Sequence, residues 1–286
     1  MMKSRKKVVI KQKLTKIFFT LIISFSLSLS AQRDTVYLNS GYESYQSDSL
    51  LYLRFNQSEE SQPYSALSKL SSGETLDLTI INRDTESHTI GFQDAEYSLT
   101  DTLTISTSLA DGVHILEVLG DEGLYLGAKM LVYAGDLSYA TYSWQLSDLQ
   151  KVINDDLKDR VLDSTWTYQP DVFSINGRMY PNTLNDSLAY VEEQVGDTIR
   201  IVVGNTGLME HALHFHGYHV DILWDSEDQM TNWIKDTFPL KKGQTKLLQL
   251  VPHQAGVFPV HDHNLIVVTN NGLYPGGMLT RLNISE

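Results

Sequence analysis

Glu210-His211-Ala212-Leu213-His214-Phe215-His216-Gly217-Tyr218-His219 is the stretch from which the rest of this chain can be read. Imidazole is the commonest side-chain ligand for borderline transition metals, and four of them in so short a run point to a site rather than to surface decoration. Ala212 to Leu223 reads as a β-strand, in which successive side chains point to opposite faces. His214 and His216 then share one face. A second cluster, His261-Asp262-His263, repeats the pattern about fifty residues on, so His261 and His263 also share a face. If the two faces meet, four imidazoles converge, while His211 and Asp262 lie on the opposite sides of their strands, where a second, separate site is allowed.

Working outward, segments rich in β-branched and aromatic residues and punctuated by Gly, Asp, Asn and Ser recur along the chain. They run from Thr75 to Asn82, His88 to Gln93, Leu103 to Leu109, Val113 to Leu119 and Lys129 to Tyr133, with one credible strand before them at Leu50 to Phe55. Further on they run from Val172 to Asn176, Thr198 to Asn205, Ala212 to Leu223, Lys246 to Val251, Val257 to Val260 and Met278 to Ile284. This spacing predicts two antiparallel β-sandwich or barrel domains, an all-β chain. The exception is the stretch from Ser147 to Asp163, where Leu149, Val152, Ile153, Leu157 and Val161 fall at helical spacing behind a Ser-Asp start signal, which predicts a short helix in a linker.

An internal repeat supports the two-domain reading. Gly73-Glu-Thr-Leu-Asp-Leu-Thr-Ile-Ile-Asn82 aligns with Gly196-Asp-Thr-Ile-Arg-Ile-Val-Val-Gly-Asn205, and the same offset pairs His88 with His211 and Phe92 with Phe215. Gly112-Val113 pairs with Gly256-Val257, and Gly123-Leu-Tyr-Leu-Gly127 with Gly272-Leu-Tyr-Pro-Gly276. Opposite His214 and His216 the first copy has Gly91 and Gln93, and opposite His261, Asp262 and His263 it has Glu117, Val118 and Leu119. The first copy keeps the scaffold without the ligands.

Composition sets the outer limits. With 42% apolar residues in 286, the chain can bury a core in each domain, and with no cysteine it has neither disulfides nor a thiolate nucleophile or ligand. Lys3, Arg5, Lys6, Lys7, Lys11, Lys13 and Lys16 precede an apolar, Ser-rich run from Ile17 to Leu29 and the small-residue exit Ser30-Ala31. Residues 1–31 therefore read as a secretory signal peptide cut after Ala31, and the protein as exported, to the periplasm or beyond. Losing those seven cations takes the net charge from −13 to −20. So acidic a surface argues against nucleic acid or anionic membranes as partners and favours cations.

The His211–Gly217 run resembles the His-x-x-His-x-His-Gly motif of multicopper oxidases. His261-Asp262-His263 followed by Gly277-Met278 resembles that family's His-Cys-His ending with an axial Met, and Phe173-Ser-Ile-Asn-Gly177 with Tyr180-Pro181 and Gly196-Asp-Thr is similar to the opening of the same domain. The resemblance implies two tandem cupredoxin-like Greek-key domains. The N-terminal domain at 32–137 lacks metal ligands, a linker with a short helix spans 138–168, and the C-terminal domain at 169–286 carries the His-rich site. It implies copper as cofactor and an oxidoreductase activity, with His211 at the mononuclear type 1 position and His214, His216, His261 and His263 as cluster ligands. It also implies a homotrimer with metal between neighbouring subunits, against which stands a first domain without ligands.

Two departures set the expectation apart from that family. Asp262 stands where the family has its type 1 Cys, and Val267 where it has the second type 1 His. A blue copper centre needs two His and a thiolate, so none can form here. The four remaining imidazoles suit a single ion, copper by resemblance and zinc as the chemical competitor. Asp262 and Met278 are left as a weak second site with His211 or, more simply, as a carboxylate that orients a ring. His219 and His253 have no counterpart among the family's ligands, and His114 pairs with Phe258 in the repeat. Three functions stay open at this point: a copper-dependent oxidoreductase acting directly on a small substrate, a non-catalytic copper binder exchanging metal with a donor or acceptor, and an interaction module with a vestigial site.

Overall fold

The computed structural model describes residues 31–161, 167–227 and 232–286. All of the signal-peptide reading except Ala31 lies outside the described residues, among which no helix is long and apolar enough to cross a membrane.

In the first domain, hydrophobic residues at every second position form strands that bury one face. β1 (Ala31–Tyr45), β2 (Asp48–Asn56), β4 (Thr75–Asn82) and β7 (Thr102–Ser108) make one sheet in the order β2-β1-β4-β7. The other sheet holds β3 (Leu67–Ser71), β5 (His88–Phe92), β6 (Ala95–Leu99), β8 (Gly112–Val118) and β9 (Lys129–Gly135) in the order β3-β9-β8-β5-β6, with a short helix α1 (Asp121–Tyr125) before β9. Leu76, Leu78 and Ile80 of β4 face Ile90 and Phe92 of β5 across a dry core. Truncating a ring such as Phe92 there costs about 3–5 kcal/mol.

The second domain repeats this plan. β10 (Ala140–Leu149) is followed by helix α2 (Lys151–Lys158), then β11 (Val172–Ile175), β12 (Val191–Gln194), β13 (Ile199–Asn205) and β14 (His211–Phe215). β15 (Val220–Asp225), β16 (Trp233–Lys235), β17 (Thr237–Leu240), β18 (Thr245–Leu250), β19 (Gly256–Asp262) and β20 (Leu279–Ser285) complete it. The sheets run β11-β10-β13-β18-β15-β16 and β12-β20-β19-β14-β17.

The duplication read from the sequence reappears in the strand pairing. β1 runs parallel to β4 as β10 does to β13, and β5 pairs with β8 as β14 does with β19. Registers correspond residue for residue: Ile90 lies opposite Val118, and Leu213 opposite Asp262. The fold is thus two cupredoxin-like β-sandwiches in tandem.

Two differences from the sequence reading stand out. Part of the stretch 138–168, read as linker, forms β10, paired between β11 and β13 in the second domain's six-stranded sheet, and the helix is confined to Lys151–Lys158. Trp144 and Leu146 are fully buried at strand spacing, and pairing with β13 overrides the helical spacing that Leu149 shares with the residues after it. β1, whose outer half is polar, was invisible as a strand because only Val36, Leu38 and Tyr45 among its apolar residues are buried.

The domains share an apolar seam built on Leu67, Val113, Leu131, Tyr133 and Val202. Across it the Thr245 hydroxyl donates to the Val113 carbonyl at 2.6 Å and Gln145 Nε2 to the Lys129 carbonyl at 3.0 Å.

Candidate metal centre

β14 and β19 lie side by side and antiparallel, with His214 directly opposite His261. Opposed residues share a face, so the two rings meet by register alone. The ladder continues past both strand ends, where the His216 N–H donates to the Pro259 carbonyl at 3.0 Å and the His263 N–H to the Ala212 carbonyl at 2.7 Å. This keeps the parity of the rings and brings His216 and His263 to the same face. Gly217 then turns the chain at φ 74°, and a Cβ there would stand 2.5 Å from the Phe258 ring, so the turn needs glycine.

The ring centroid of His214 is 4.8 Å from that of His216, 5.7 Å from His261 and 5.6 Å from His263, and those of His216 and His261 are 5.0 Å apart. His214 and His261 are half-buried, whereas His216 and His263 are exposed at the mouth. Nε2 of His216 lies 2.9 Å from Nε2 of His261. His261 Nδ1 is 2.7 Å from the Asp262 carbonyl, which can only accept, so Nδ1 carries the proton and Nε2 offers its lone pair to the His216 N–H. His214 Nδ1 is likewise engaged, 2.7 Å from Thr237 Oγ1. Burial, together with the charges His261 and His214 would carry, lowers the pKa of His216, which keeps a proton off the exposed edge of the cluster.

On the other side of β14, His211 is separate from these four. Its Nδ1 lies 2.8 Å from Asp262 Oδ2 and its Nε2 3.1 Å from Asp148 Oδ2, all three side chains being essentially inaccessible. Both acceptors are carboxylates, so both ring nitrogens donate and the ring is an imidazolium. Burial alone would push its pKa down, but the hydrogen bonds and charges of Asp148 and Asp262 outweigh it and raise the pKa to about 9. Asp148 also accepts from the Tyr168 hydroxyl and from the backbone N–H groups of Leu208 and Met209. These bonds hold its carboxyl below the usual range against a burial that would raise it. Met278 is fully buried in the core of the second domain.

Sequence reasoning did not pick out Asp148, Tyr168 or Thr237. Asp148 was read as half of a helix start signal, yet it accepts from residues far along the chain instead of capping α2. A carboxylate flanked by Trp144, Leu146 and Leu149 in an apolar run was the signal that it needed a buried partner. Among the described residues, no group of three or more His, Cys, Asp or Glu is placed so that it could hold a metal ion as it stands. His214 instead lies beside each of the other three rings, and His216 beside His261.

No curated protein sequence matches the chain. Residues 143–275 match the sequence profile described as multicopper oxidase. Among solved structures the chain is similar to a blue copper oxidase from Nitrosomonas europaea, at 18% identity and a TM-score of 0.73 over 89% of this chain and 86% of that one. The multicopper oxidase mgLAC matches at 16% identity and a TM-score of 0.73, over 90% of this chain and 87% of that one. A copper nitrite reductase from Nitrosomonas europaea matches at 17% identity and 0.67, over 90% and 95%. Likeness at this level speaks for the fold of the whole chain, and the profile match for its second half. That half is similar to the multicopper oxidase profile, and the chain as a whole has the fold of copper oxidase and copper nitrite reductase structures.

Proposed function

We propose that this chain is an exported copper protein in which His214, His216, His261 and His263 hold one copper ion, and that it acts as a copper-dependent oxidoreductase without a type 1 centre. The observation that carries the reading is the meeting of the four rings, with Nε2 of His216 and His261 only 2.9 Å apart. With metal–nitrogen bonds of about 2.0–2.1 Å, two ligands at a right angle stand about 2.9 Å apart and two tetrahedral ones about 3.4 Å. Right-angled sets of imidazoles suit Cu(II), tetrahedral ones zinc. Thr237 and the Asp262 carbonyl fix the outer nitrogens of His214 and His261, the arrangement that orients imidazole ligands in metal sites generally.

The type 1 position, by contrast, does not fit copper. His211 spends both nitrogens on carboxylates, Asp262 replaces the thiolate and Val267 the second imidazole. Copper held by the four histidines would supply one-electron exchange with a small molecule, for which a phenol, a nitrogen oxide or an oxygen species qualifies. The exposed edges of His216 and His263 leave such a molecule a way in. Export rests on the basic and apolar leader at 1–31. A homotrimer is supported by Leu265, Ile266, Leu273 and Tyr274, each about 70% exposed on the segment that follows His263.

Metal analysis of protein purified without chelators is the first test, and one equivalent of copper is expected. Turnover of phenolic donors or nitrite by the copper-loaded protein no faster than by free copper would sink the enzymatic reading. The loss of the family's electron relay and the acidic surface favour one second reading, a non-catalytic copper carrier. It predicts tight binding of one copper with no turnover, whereas three or four coppers with oxygen reduction would contradict both.

A further inference from the structure

Between Lys235 and Thr237 the chain leaves the edge of one sheet of the second domain and joins the edge of the other, since β16 ends the six-stranded sheet and β17 the five-stranded one. The gap between these two edges is a cavity of about 250 Å³. An apolar cavity of about 150 Å³ holds a benzene molecule, so this one has room for a single ring and a charged group. Phe238 and Ile222, both buried, and Trp233 and Pro239 line the apolar part.

The polar lining has a definite charge pattern. Lys246 is buried against Asp225, and Lys241 Nζ lies 2.6 Å from Glu227. Lys235 has no carboxylate partner among the described residues, and its ammonium sits 5.4 Å from the centroid of the Trp233 ring. Among the described residues that line the cavity, three lysines stand against two carboxylates, with Lys235 beside an aromatic ring, on a chain whose net charge is −13. A local cation in an acidic protein draws small anions that the rest of the surface repels.

Thr237 lines the same cavity and carries the hydroxyl 2.7 Å from Nδ1 of His214. The wall of the cavity therefore touches the ring that β14 contributes to the histidine cluster.

We propose that this cavity binds a compact organic carboxylate with an apolar body, its carboxylate on Lys235 and its body against Trp233 and Phe238, and that Thr237 transmits its presence to the ring of His214. None of the four histidines lines the cavity, so the ligand is expected to bind the metal-free protein. Only the coupling bears on the proposed function.

Calorimetric titration of chelator-treated protein with benzoate tests the site. One benzoate per chain is expected, with no saturable heat from benzyl alcohol, which has the ring without the charge. Lys235→Met and Trp233→Ala, both at exposed positions, should each weaken binding by about tenfold or more, which is about 1.4 kcal/mol. No saturable heat at millimolar benzoate, or equal affinity in both variants, would overturn the site. The coupling is read from the ring nitrogen resonances of His214, which should shift on saturation with benzoate in the parent and stay put in Thr237→Val. A silent His214 in the benzoate-saturated parent would overturn the coupling, and metal analysis of the same protein decides the copper reading separately.

Discussion

Replacing His211 with glutamine tests whether a buried imidazolium, rather than a metal, fills the position where the family has its type 1 copper. Glutamine keeps the ring's approximate reach and one donor group, but it removes the positive charge between Asp148 and Asp262. The folded-state pKa of His211 is raised from 6.5 to about 9. A raised pKa contributes stability that is fully present below the unfolded value, near 6.5, and is lost as pH rises through about 9. At about 1.4 kcal/mol per unit this contribution is about 3 kcal/mol, a conversion that solvent does not dilute because the imidazole is 0% exposed. Leaving two buried carboxylates without their cation costs about 3–5 kcal/mol by the same physics seen from the other side.

The parent should therefore be more stable than His211→Gln at pH 6 by about 3–5 kcal/mol, and the gap should shrink by about 3 kcal/mol at pH 10, where the parent imidazole is neutral. Denaturant unfolding followed by tryptophan fluorescence reads this directly, because the chain's tryptophans, Trp144, Trp166, Trp224 and Trp233, all lie after the first domain. A gap of the same size at pH 6 and pH 10 would refute the reasoning. So would a His211 ring found by NMR to titrate near 6.5.

Asp262→Cys alone should yield no intense blue absorption on adding copper, since Asp148 still engages Nε2 of His211 and Val267 supplies no second imidazole; a blue band would show that the position retains its old competence. Thr237→Val takes away the hydroxyl bonded to His214 Nδ1 and should weaken copper binding by about 10–100-fold in a competition titration with the fold intact by circular dichroism. Gly207→Ala would place a Cβ 1.8 Å from Asp148 Oδ2, and the overpacking should cost about 1–3 kcal/mol by denaturant unfolding. His88→Gln should destabilise the first domain at neutral pH and less so in alkali, since burial is outweighed by Asp84 and Glu122 and the pKa of His88 is raised, and it should leave copper stoichiometry unchanged.

How far the sequence could be read depended on whether an interaction leaves a local trace. Strand parity alone put His214 with His216 on one face and His261 with His263 on another, because period-two alternation survives wherever one side of a sheet is buried, while the register of β14 with β19 is what brings the two faces together. The duplication was legible for a similar reason: the glycine-led openings at Gly73 and Gly196 and the apolar positions after them are fixed by a core that both domains build alike. Neither Thr237 nor Asp148 could be found this way. Each meets its histidine across a distance in sequence, 23 and 63 residues, that no periodicity spans, and only the antiparallel register of β14 with β17 and the pairing of β10 into the second domain's sheet bring them in. The same nonlocality hid β10, whose identity as a strand depends on its partner β13 more than on its own residues.

What His211 does now is best judged from its counterpart. His88 occupies the matching position in the first domain, at the start of β5, and it too is clamped by two carboxylates, with Nε2 3.0 Å from Asp84 and Nδ1 3.0 Å from Glu122. Those carboxylates are not the counterparts of the second domain's pair: Asp84 precedes β5 and Glu122 comes from α1, whereas Asp148 comes from β10 and Asp262 from β19. The imidazole is shared and its partners differ, so each domain has arrived separately at a buried cation that ties the first residue of this strand to its surroundings. The first domain does so with no histidine cluster nearby, which removes metal chemistry as the reason for the arrangement there. By the same logic the carboxylate at 262 has a role of its own. It neutralises a ring that would otherwise be buried with one partner, and it fixes the face of β14 opposite to the one that presents His214, so that the register delivering the four imidazoles is held from behind by a charge network that copper need not supply.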